Sequence, residues 1–408
     1  MSYETNIASV SATNNKYVSV KLAFGMITSL FFLWGVSHGL LDVLNKHFQD
    51  SLNVTKAESG YLQMAYYGAY FLVAIPVGAL MSRLGYKSGV IAGLFLFAAG
   101  ALLFVPATTA GTFIFFIFSL FILACGLGCL ETAANLYASV LGRPEDAERR
   151  LNFAQSFNGL GVFMGPIIGG SLFFAPDISI AGRSFDPVMT TYVVLALLVA
   201  LLMVLFIFTR LPEIQEADDS GSAAQTVSLW KKPNFSGAIV AQFFYMAAHV
   251  GIASFFINFA LDHWKGSTVK DASYLLSCAM LIFMVGRFAS TWLMKFFRPR
   301  SMLIAYGFVN LALSLLAMTG AEKVSVVGLM AIFFFLSIMY PCIFAMGVKN
   351  LGSQTKRAGS YLVMTLVGGA VSPYLMGSIA DHTTMAIAFI VPAFSFCVII
   401  FYGMKCVR

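Results

Sequence analysis

Two carboxylic acids, Glu131 and Asp42, lie well inside long apolar stretches of this 408-residue chain. The chain has 18 acidic residues, and the other 16 fall in polar segments or at the edges of apolar ones. A charged carboxylate at the centre of a bilayer costs on the order of 3 kcal/mol or more unless it takes up a proton or faces water. Acids kept at such a cost are typical of proton relays and of cavities that bind polar ligands.

Polar residues accompany both acids at helical spacing. Glu131 and Asn135 are four residues apart, as are His38 and Asp42, so each pair shares one helix face. Facing lipid, these groups would lack hydrogen-bond partners, so we expect them to face an aqueous cavity. For Glu131 the alternative is a structural acid bonded between helices, and for Asp42 it is contact with interfacial water. Histidine suits proton exchange near neutral pH, which makes His38 a candidate partner of Asp42.

Neutral amides and aromatic residues form three further stripes with helical periodicity. Such side chains suit a ligand with many hydroxyl groups, because they offer neutral donors and acceptors beside apolar ring faces. Hydrogen bonding between helices is the alternative for any one of them. A single buried arginine, Arg287, argues against an organic anion as the ligand. The stripes are Gln63, Tyr66 and Tyr70; Gln155 and Asn158; and Gln242, Tyr245 and His249.

The composition indicates the elements that must position these residues. The chain is 59% hydrophobic and 11% charged, whereas about a quarter of the residues in soluble domains are charged. About 20 apolar residues cross a bilayer core, and segments of that kind predict an all-α membrane protein with twelve transmembrane helices. We place these spans at residues 20–45, 59–82, 88–106, 112–138, 151–174, 188–209, 235–261, 271–296, 301–319, 324–348, 357–380 and 384–404.

The basic residues indicate the orientation of the spans. With both termini in the cytoplasm, 18 of the 25 lysine and arginine residues lie on the cytoplasmic side, six lie outside, and Arg287 lies within span eight. Because basic residues concentrate in cytoplasmic loops, this split predicts a multi-pass protein of the plasma (inner) membrane with both termini inside. The net charge of +7 arises from these scattered loop residues and forms no patch for a nucleic acid.

A polar, acidic stretch at residues 211–233 divides the spans into six and six. Features of the first six recur in the second at a nearly constant offset, as when Pro166 recurs as Pro373. We therefore predict an N-terminal six-helix bundle at 1–210, a cytoplasmic linker, and a C-terminal bundle at 234–408. A parallel six-helix repeat of this kind is the arrangement of the major facilitator superfamily, which binds substrate near the membrane midplane.

Three basic residues are candidates for gating. The stretch Gly78–Lys87, which joins spans two and three, resembles a loop signature of that superfamily, with Ser82 in the place of the usual aspartate. In that signature glycines allow close packing and basic residues, here Arg83 and Lys87, hold the inward gate. A simple positive-inside loop is the alternative. We expect a structural or gating role for Arg287 in span eight.

Longer stretches resemble a family of sugar carriers, the fucose–galactose–glucose:proton symporters. That resemblance implies import of a neutral hexose or 6-deoxyhexose with a proton by alternating access, with L-fucose as the first expected substrate. It also implies that Glu131 and Asp42 are the essential acids, and Tyr340 joins the expected sugar site. The stretches that carry the resemblance are Ser29–Trp34, Ala124–Asn135, Arg150–Asn158, Gly286–Phe288, Thr291–Leu293 and Gly347–Gly352.

Departures from the family pattern leave the identity of the sugar open. Leu41 precedes Asp42 where the family usually has asparagine, and Leu136 replaces a proline. His249 stands where Gln or Glu is expected, and Met339 where glutamine is common in fucose carriers. Glucose, galactose or another neutral polyol remains an alternative, and so does export. A sugar sensor that does not transport is a further alternative, although such a sensor would need a longer output segment.

The sequence has no pattern typical of an enzyme. The six cysteines show neither metal-ligand spacing nor a disulfide framework, and there is no nucleophile–base pair or phosphate loop. We predict no metal and no cofactor, and a monomer whose partners are the sugar, a proton and the lipid bilayer. No cleavable signal peptide is expected, because the first apolar run is long enough to span. Asn53-Val-Thr55 would be a glycosylation acceptor in a eukaryote.

Overall fold

The computed structural model describes residues 20–140, 147–180, 183–210, 229–349, 351 and 355–406. Most of the predicted linker, residues 211–228, lies outside these ranges. The described part of the first half is almost entirely helical. Its helices are α1 (Val20–Ser51), α2 (Lys56–Leu84), α3 (Tyr86–Leu102), α4 (Phe104–Ala110), α5 (Phe113–Val140), α6 (Ala147–Leu172) and α7 (Pro187–Phe208).

The second half is helical as well, and several of its spans consist of two helices end to end. A 3-10 turn at Leu229–Lys231 leads into it, within the segment predicted as linker. Further irregular turns lie at Thr365–Val367 and at Tyr402–Cys406. The helices are α8 (Pro233–His263), α9 (Val269–Leu293), α10 (Pro299–Met318), α11 (Glu322–Leu336), α12 (Met339–Val348), α13 (Thr355–Met364), α14 (Gly368–His382), α15 (Met385–Ala388) and α16 (Ile390–Phe401).

In the described part of the chain, 10 helical segments are long and apolar enough to cross a membrane. The two other predicted spans correspond to α2 and α6, which have 29 and 26 residues. At 1.5 Å per residue, both are long enough to cross a bilayer. They are less apolar because they carry stripes of polar residues, including Gln63 on α2 and Gln155 on α6.

A short hairpin interrupts the helical pattern between α6 and α7. Strand β1 (Ile178–Ile180) pairs antiparallel with strand β2 (Arg183–Phe185). These strands could not be predicted from the sequence, because three residues are too few for a recognisable alternation. Asp186 follows directly and caps α7, its carboxylate accepting a hydrogen bond from the backbone N–H of Met189 at 2.8 Å. The hairpin therefore leads the chain into the sixth span.

The helices form two bundles that meet along a seam. The two ends of the molecule are named after α2. The Lys56 end is the one at which α2 begins, and the Arg83 end is the opposite one, at which α2 finishes. In the first bundle α1 packs on α6 and α3 packs on α5, and in the second α8 packs on α14 and α16. Across the seam α2 packs on α14, α6 on α9, and α1 on α8. These three pairs position the central residues of the two halves.

Glycines allow α1 and α6 to touch backbone to backbone in the first bundle. A side chain on Gly35 would collide with the carbonyl of Asn158, and one on Gly161 would collide with the carbonyl of Phe32. Small residues at such crossings let membrane helices approach closely. The polar face of α6 is therefore held directly against α1, which carries one of the two acids.

Candidate functional site

Asp42 lies at the seam and is 5% exposed. The side-chain amide of Gln63 donates to Asp42 Oδ1 at 3.4 Å and to Ser254 Oγ on α8 at 2.8 Å. The backbone carbonyl of Ser254 in turn accepts from Asn45 Nδ2 at 2.8 Å. One amide thus joins an acid of the first half to a helix of the second.

This hydrogen-bonded network continues toward the Lys56 end. Asn258 on α8 donates from Nδ2 to Gln49 Oε1 on α1 at 2.6 Å. Gln49 donates from Nε2 to Ser59 Oγ on α2 at 2.9 Å. Because each link joins different helices, the network holds α1, α2 and α8 together only while the two halves are closed at this end.

Glu131 has a different environment. It lies on α5, is partly exposed, and its carboxylate has no hydrogen bond to the described residues. A carboxylate without a protein partner must be protonated, hydrated or bound to a ligand. Glu131 borders a small cavity between α1 and α5 whose other walls are apolar and aromatic, formed by Leu30, Phe31, Trp34, Leu130 and Ala134.

A cluster of tyrosines on α2 lies near the two acids. Tyr66, Tyr67 and Tyr70 are buried, and the rings of Tyr67 and Tyr70 are each 5.2 Å from that of Tyr66. The hydroxyls of Tyr66 and Tyr70 are 3.3 Å apart. Tyr66 and Tyr67 lie within electrostatic range of both Asp42 and Glu131. The same tyrosines therefore lie near both acids.

His38 contacts this cluster from α1. Its Nε2 is 3.3 Å from the hydroxyl of Tyr67, and its ring meets the rings of Tyr66 and Tyr67 edge on. The partner that the structure gives it is thus Tyr67 rather than Asp42. Its role in contacting the ligand or the proton remains a prediction.

The amides on α5 and α6 pair with neighbouring groups. Gln155 donates from Nε2 to Asn135 Oδ1 at 3.1 Å, and Asn158 donates from Nδ2 to the carbonyl of Phe31 at 3.3 Å. The four-residue spacing that put Asn135 beside Glu131 therefore also directs it toward α6. Each amide has further donors and acceptors that form no hydrogen bond to the described residues and could bind a ligand.

The second half contributes aromatic groups. The His249 ring stacks on Phe283 at 5.1 Å, and its Nδ1 is 3.4 Å from the hydroxyl of Tyr245. The Tyr245 ring lies 5.9 Å from that of Tyr340. Tyr340 also lies within electrostatic range of Glu131 in the first half.

Gln242 is the polar residue of α8 whose partners are least evident. It is fully buried, and neither its amide nitrogen nor its amide oxygen has a hydrogen bond to the described residues. An unpaired buried amide costs about 1–3 kcal/mol per group. It therefore fits a ligand or a water molecule better than it fits the closed protein.

Two of the predicted gating residues, Arg83 and Lys87, lie where α2 ends and α3 begins. Arg83 is exposed at its end of the molecule. Lys87 Nζ donates to the carbonyls of Ile207 and Thr209, both at 2.9 Å, and thereby holds the last turn of α7.

Arg287 has a comparable contact in the second half. Its Nε donates to the carbonyl of Ser337 at 3.4 Å, and its guanidinium lies 4.9 Å from the Phe283 ring. Ser337 follows α11, so the arginine satisfies a carbonyl at the break in span ten. Gating by Arg83, Lys87 and Arg287 stays a prediction.

Sequence reasoning missed several residues of the site. Tyr67 is four residues after Gln63 and Asn45 is three after Asp42, so helical spacing alone could have included both. Ser254 and Phe283 had no such signal, because serine and phenylalanine are common in membrane helices. Only the crossing of α8 with α1 and α2 identifies Ser254.

The hydrogen bonds and ring contacts that join the halves within the described ranges lie between the middle of the helices and the Lys56 end. The hydroxyls of Ser171 on α6 and Tyr274 on α9 are 2.9 Å apart. The rings of Tyr61 on α2 and Tyr374 on α14 stack at 5.4 Å. The molecule is therefore closed at the Lys56 end. Among the described residues there is no group of three or more His, Cys, Asp or Glu side chains that could hold a metal ion.

Comparisons with known proteins agree with this architecture. The model of the Major Facilitator Superfamily matches residues 22–373. The chain is 36% identical over 407 residues to the L-fucose-proton symporter of Escherichia coli K12, covering 94% of this chain and 92% of that protein. It is 33% identical over 385 residues to the glucose/galactose transporter of Brucella abortus biovar 1, covering 94% and 93%.

A solved structure agrees as well. The crystal structure of the superfamily transporter FucP in the outward conformation matches with a TM-score of 0.70 and 34% identity, covering 96% of this chain and 100% of that one. The expected fold is confirmed, with α2 and α6 completing the set of twelve spans. This chain belongs to the major facilitator superfamily, as a multi-pass membrane transporter with twelve transmembrane helices.

Proposed function

We propose that this chain imports a neutral hexose or 6-deoxyhexose together with a proton by alternating access, with L-fucose as the first expected sugar. The observation that carries the proposal is the presence of two buried or half-buried acids near one tyrosine cluster. Asp42 is joined to the other half, and Glu131 has no hydrogen bond to the described residues. Two relatives support the substrate class, since one is named an L-fucose-proton symporter and the other a glucose/galactose transporter.

We place the protein as a monomer in the plasma membrane, with both termini and the 211–233 linker in the cytoplasm between bundles 1–210 and 234–408. The excess of basic residues on that side supports this orientation. The Lys56 end then faces outward, and a molecule closed there is an inward-facing carrier. FucP was solved in the outward conformation, so the two structures would represent opposite states of one transport cycle.

In this cycle Glu131 has the direct role. Its carboxylate is free to take a proton or to accept hydrogen bonds from sugar hydroxyls. Carrying an unpaired charge through an occluded state would be costly, whereas a protonated or sugar-bound carboxyl group avoids most of that cost. Proton and sugar binding at Glu131 therefore favour the movement of the halves together.

Asp42 couples its own protonation to closure of the Lys56 end. As a neutral acid it fits the closed seam beside Gln63 and Ser254. As a carboxylate it needs water, and water enters when the Lys56 end opens. A ligand can shift such an equilibrium only by binding the two states differently, and a proton on Asp42 does so.

Neutral groups supply the remaining contacts with the sugar. Asn135, Gln155 and Asn158 offer amides from the first half. From the second, Tyr340 and His249 offer a hydroxyl and an imidazole beside aromatic faces. Gln63, Tyr66, Gln242 and Tyr245 belong to the same proposed site, as does His38. These neutral groups can exchange hydrogen bonds within the protein for hydrogen bonds to the sugar, so the sugar binds without burial of a charge.

The test is the external pH of de-energised cells on addition of a panel of sugars. External alkalinisation with one sugar, lost in Glu131→Gln, is the expected result and names the substrate. Glu58→Gln is the matched control, because Glu58 is exposed and, among the described residues, its carboxylate bonds within the capping box of α2. Uptake of labelled sugar without any pH change would contradict proton coupling and leave a facilitator.

The same panel of sugars distinguishes the second candidate substrate class, glucose and galactose, from L-fucose. The glucose/galactose transporter of Brucella abortus is nearly as similar to this chain as the fucose symporter is. Alkalinisation with glucose or galactose, and not with L-fucose, would assign the chain to that class. Binding of a sugar without uptake would instead favour a sensor.

A further inference from the structure

A carboxylate of one half binds the start of a helix in the other half at the Lys56 end. Asp381 lies on α14, and its Oδ1 accepts from the backbone N–H of Lys56 at 3.1 Å. Its Oδ2 accepts from the backbone N–H of Ala57 at 2.8 Å. Both donors belong to the first turn of α2, so the two oxygens of Asp381 bridge the seam.

The local sequence of α2 explains why these two donors are free. The first N–H groups of a helix have no partner within it. Thr55 and Glu58 form a capping box in which each side chain accepts from the other's backbone N–H, at 3.1 and 2.8 Å. The box leaves Lys56 and Ala57 without a cap of their own, and the partial positive charge of the helix start favours a carboxylate there.

The helix backbones approach closely around this contact. A Cβ on Gly60 of α2 would lie 2.6 Å from the backbone nitrogen of Tyr374 on α14, and one on Gly377 would collide with the carbonyl of Lys56. The rings of Tyr61 and Tyr374 stack beside them, 5.4 Å apart. No side chain holds the helices apart here, so Asp381 reaches α2 only while the halves are closed.

We propose that Asp381 is the latch of the external gate, whose carboxylate stabilises the closed Lys56 end by capping α2 and leaves it when the carrier opens outward. This inference rests on the orientation and the alternating access proposed above. It assigns to a residue outside the sugar site a direct effect on the balance between inward- and outward-facing states.

The test measures whether the Lys56 end opens, at positions distant from Asp381. Ser273 and Ser277 of α9 are 0% and 2% exposed and face α6, on the other side of the seam from α2 and α14. Each is replaced singly by cysteine in a chain whose six native cysteines have been removed. Labelling by a membrane-impermeant maleimide is then followed in right-side-out vesicles without sugar.

Asp381→Asn is expected to raise the labelling rate at both positions at least threefold, because the amide cannot accept from both N–H groups. The control is Asp271→Asn, since Asp271 also caps a helix at the Lys56 end but within its own half, through Thr268. This control should leave the rate unchanged. Rates are normalised to the monodisperse protein recovered from the same vesicles.

An unchanged rate at either cysteine in Asp381→Asn would overturn the proposal, since the contact would then be only local. Asp381→Glu guards against misfolding, because it retains the charge and should label more slowly than Asp381→Asn. A rise seen only in inside-out vesicles would also overturn it, by placing the latch on the cytoplasmic side. The readout needs no sugar, so a wrong substrate assignment leaves this test unaffected.

Discussion

Asp42 and Glu131 carry the same chemical group in opposite surroundings. Asp42 is 5% exposed and linked by Gln63 to Ser254 of the other half. Glu131 is partly exposed, borders a cavity, and its carboxylate has no hydrogen bond to the described residues. The difference underlies the proposed division of roles, in which the protonation of Asp42 would depend on whether the seam is closed and that of Glu131 on whether sugar is bound.

The division follows from what each acid needs when it is charged. A buried carboxylate requires water or donors, and the seam around Asp42 admits water only when the halves separate at the Lys56 end. Under the proposed function, Glu131 would instead be satisfied by a proton or by sugar hydroxyls. Counterflow, which exchanges sugar without net proton movement, should therefore distinguish the two acids.

The largest effect is expected for Glu131→Gln. Gln cannot take up a proton and offers one uncharged acceptor oxygen where the carboxylate offers two, so accumulation and counterflow should both fall, by on the order of 100-fold, the effect of roughly 3 kcal/mol. Uptake of labelled sugar into energised and de-energised vesicles measures the two activities. Normal counterflow in this variant would show that Glu131 does not bind sugar and would contradict the proposed difference between the two acids.

Asp42→Asn should separate the activities. The amide preserves the size of the side chain but cannot titrate, so accumulation should fall by on the order of 10-fold or more while counterflow stays within about threefold of wild type. Asp50→Asn is a matched control, because Asp50 lies on the same helix, is exposed, and forms an ion pair with Lys46 one turn away at 2.7 Å. Equal loss of both activities in Asp42→Asn would contradict the proposed division.

Ser254→Ala sharpens the comparison without removing an acid. It deletes the hydroxyl that accepts from Gln63 across the seam, and one such hydrogen bond contributes about 0.5–1.5 kcal/mol. Accumulation should fall about two- to tenfold, and the loss should be smaller when Asp42 is already Asn, because both changes weaken one link. Fully additive losses, measured by the same uptake assay, would show that Ser254 acts independently of Asp42.

Tyr67→Phe is expected to have the smallest effect. It removes the hydroxyl near His38 but keeps the ring, so the apparent affinity for sugar should weaken about two- to fivefold. Tyr306→Phe is the control, since the Tyr306 hydroxyl bonds to Ser290 within the second half, at 2.9 Å. An equal effect of both substitutions on the concentration dependence of uptake would argue against a special role of Tyr67.

Much of the fold could be predicted because it depends on local properties. Apolar length places the spans, and α8 begins at Pro233, within two residues of the predicted start of span seven. Breaks within spans were less predictable. In span ten, one helix ends at Leu336 and another begins at Met339. There Arg287, distant in sequence, satisfies the freed carbonyl of Ser337. Nothing within the span itself indicates that partner.

By itself, the sequence determined which groups are costly in a membrane and which of them share a helix face. Glu131, Asp42 and Asn135 are recognised in this way, because hydropathy and helical spacing act over a few residues. Only the tertiary structure decided which partners stabilise these polar groups. The partners of Asn45 and Gln63 on α8 are 209 and 191 residues away, and Asp381 reaches α2 across 325. Such contacts depend on how two bundles meet, and the same chain must break and remake them as it alternates between states.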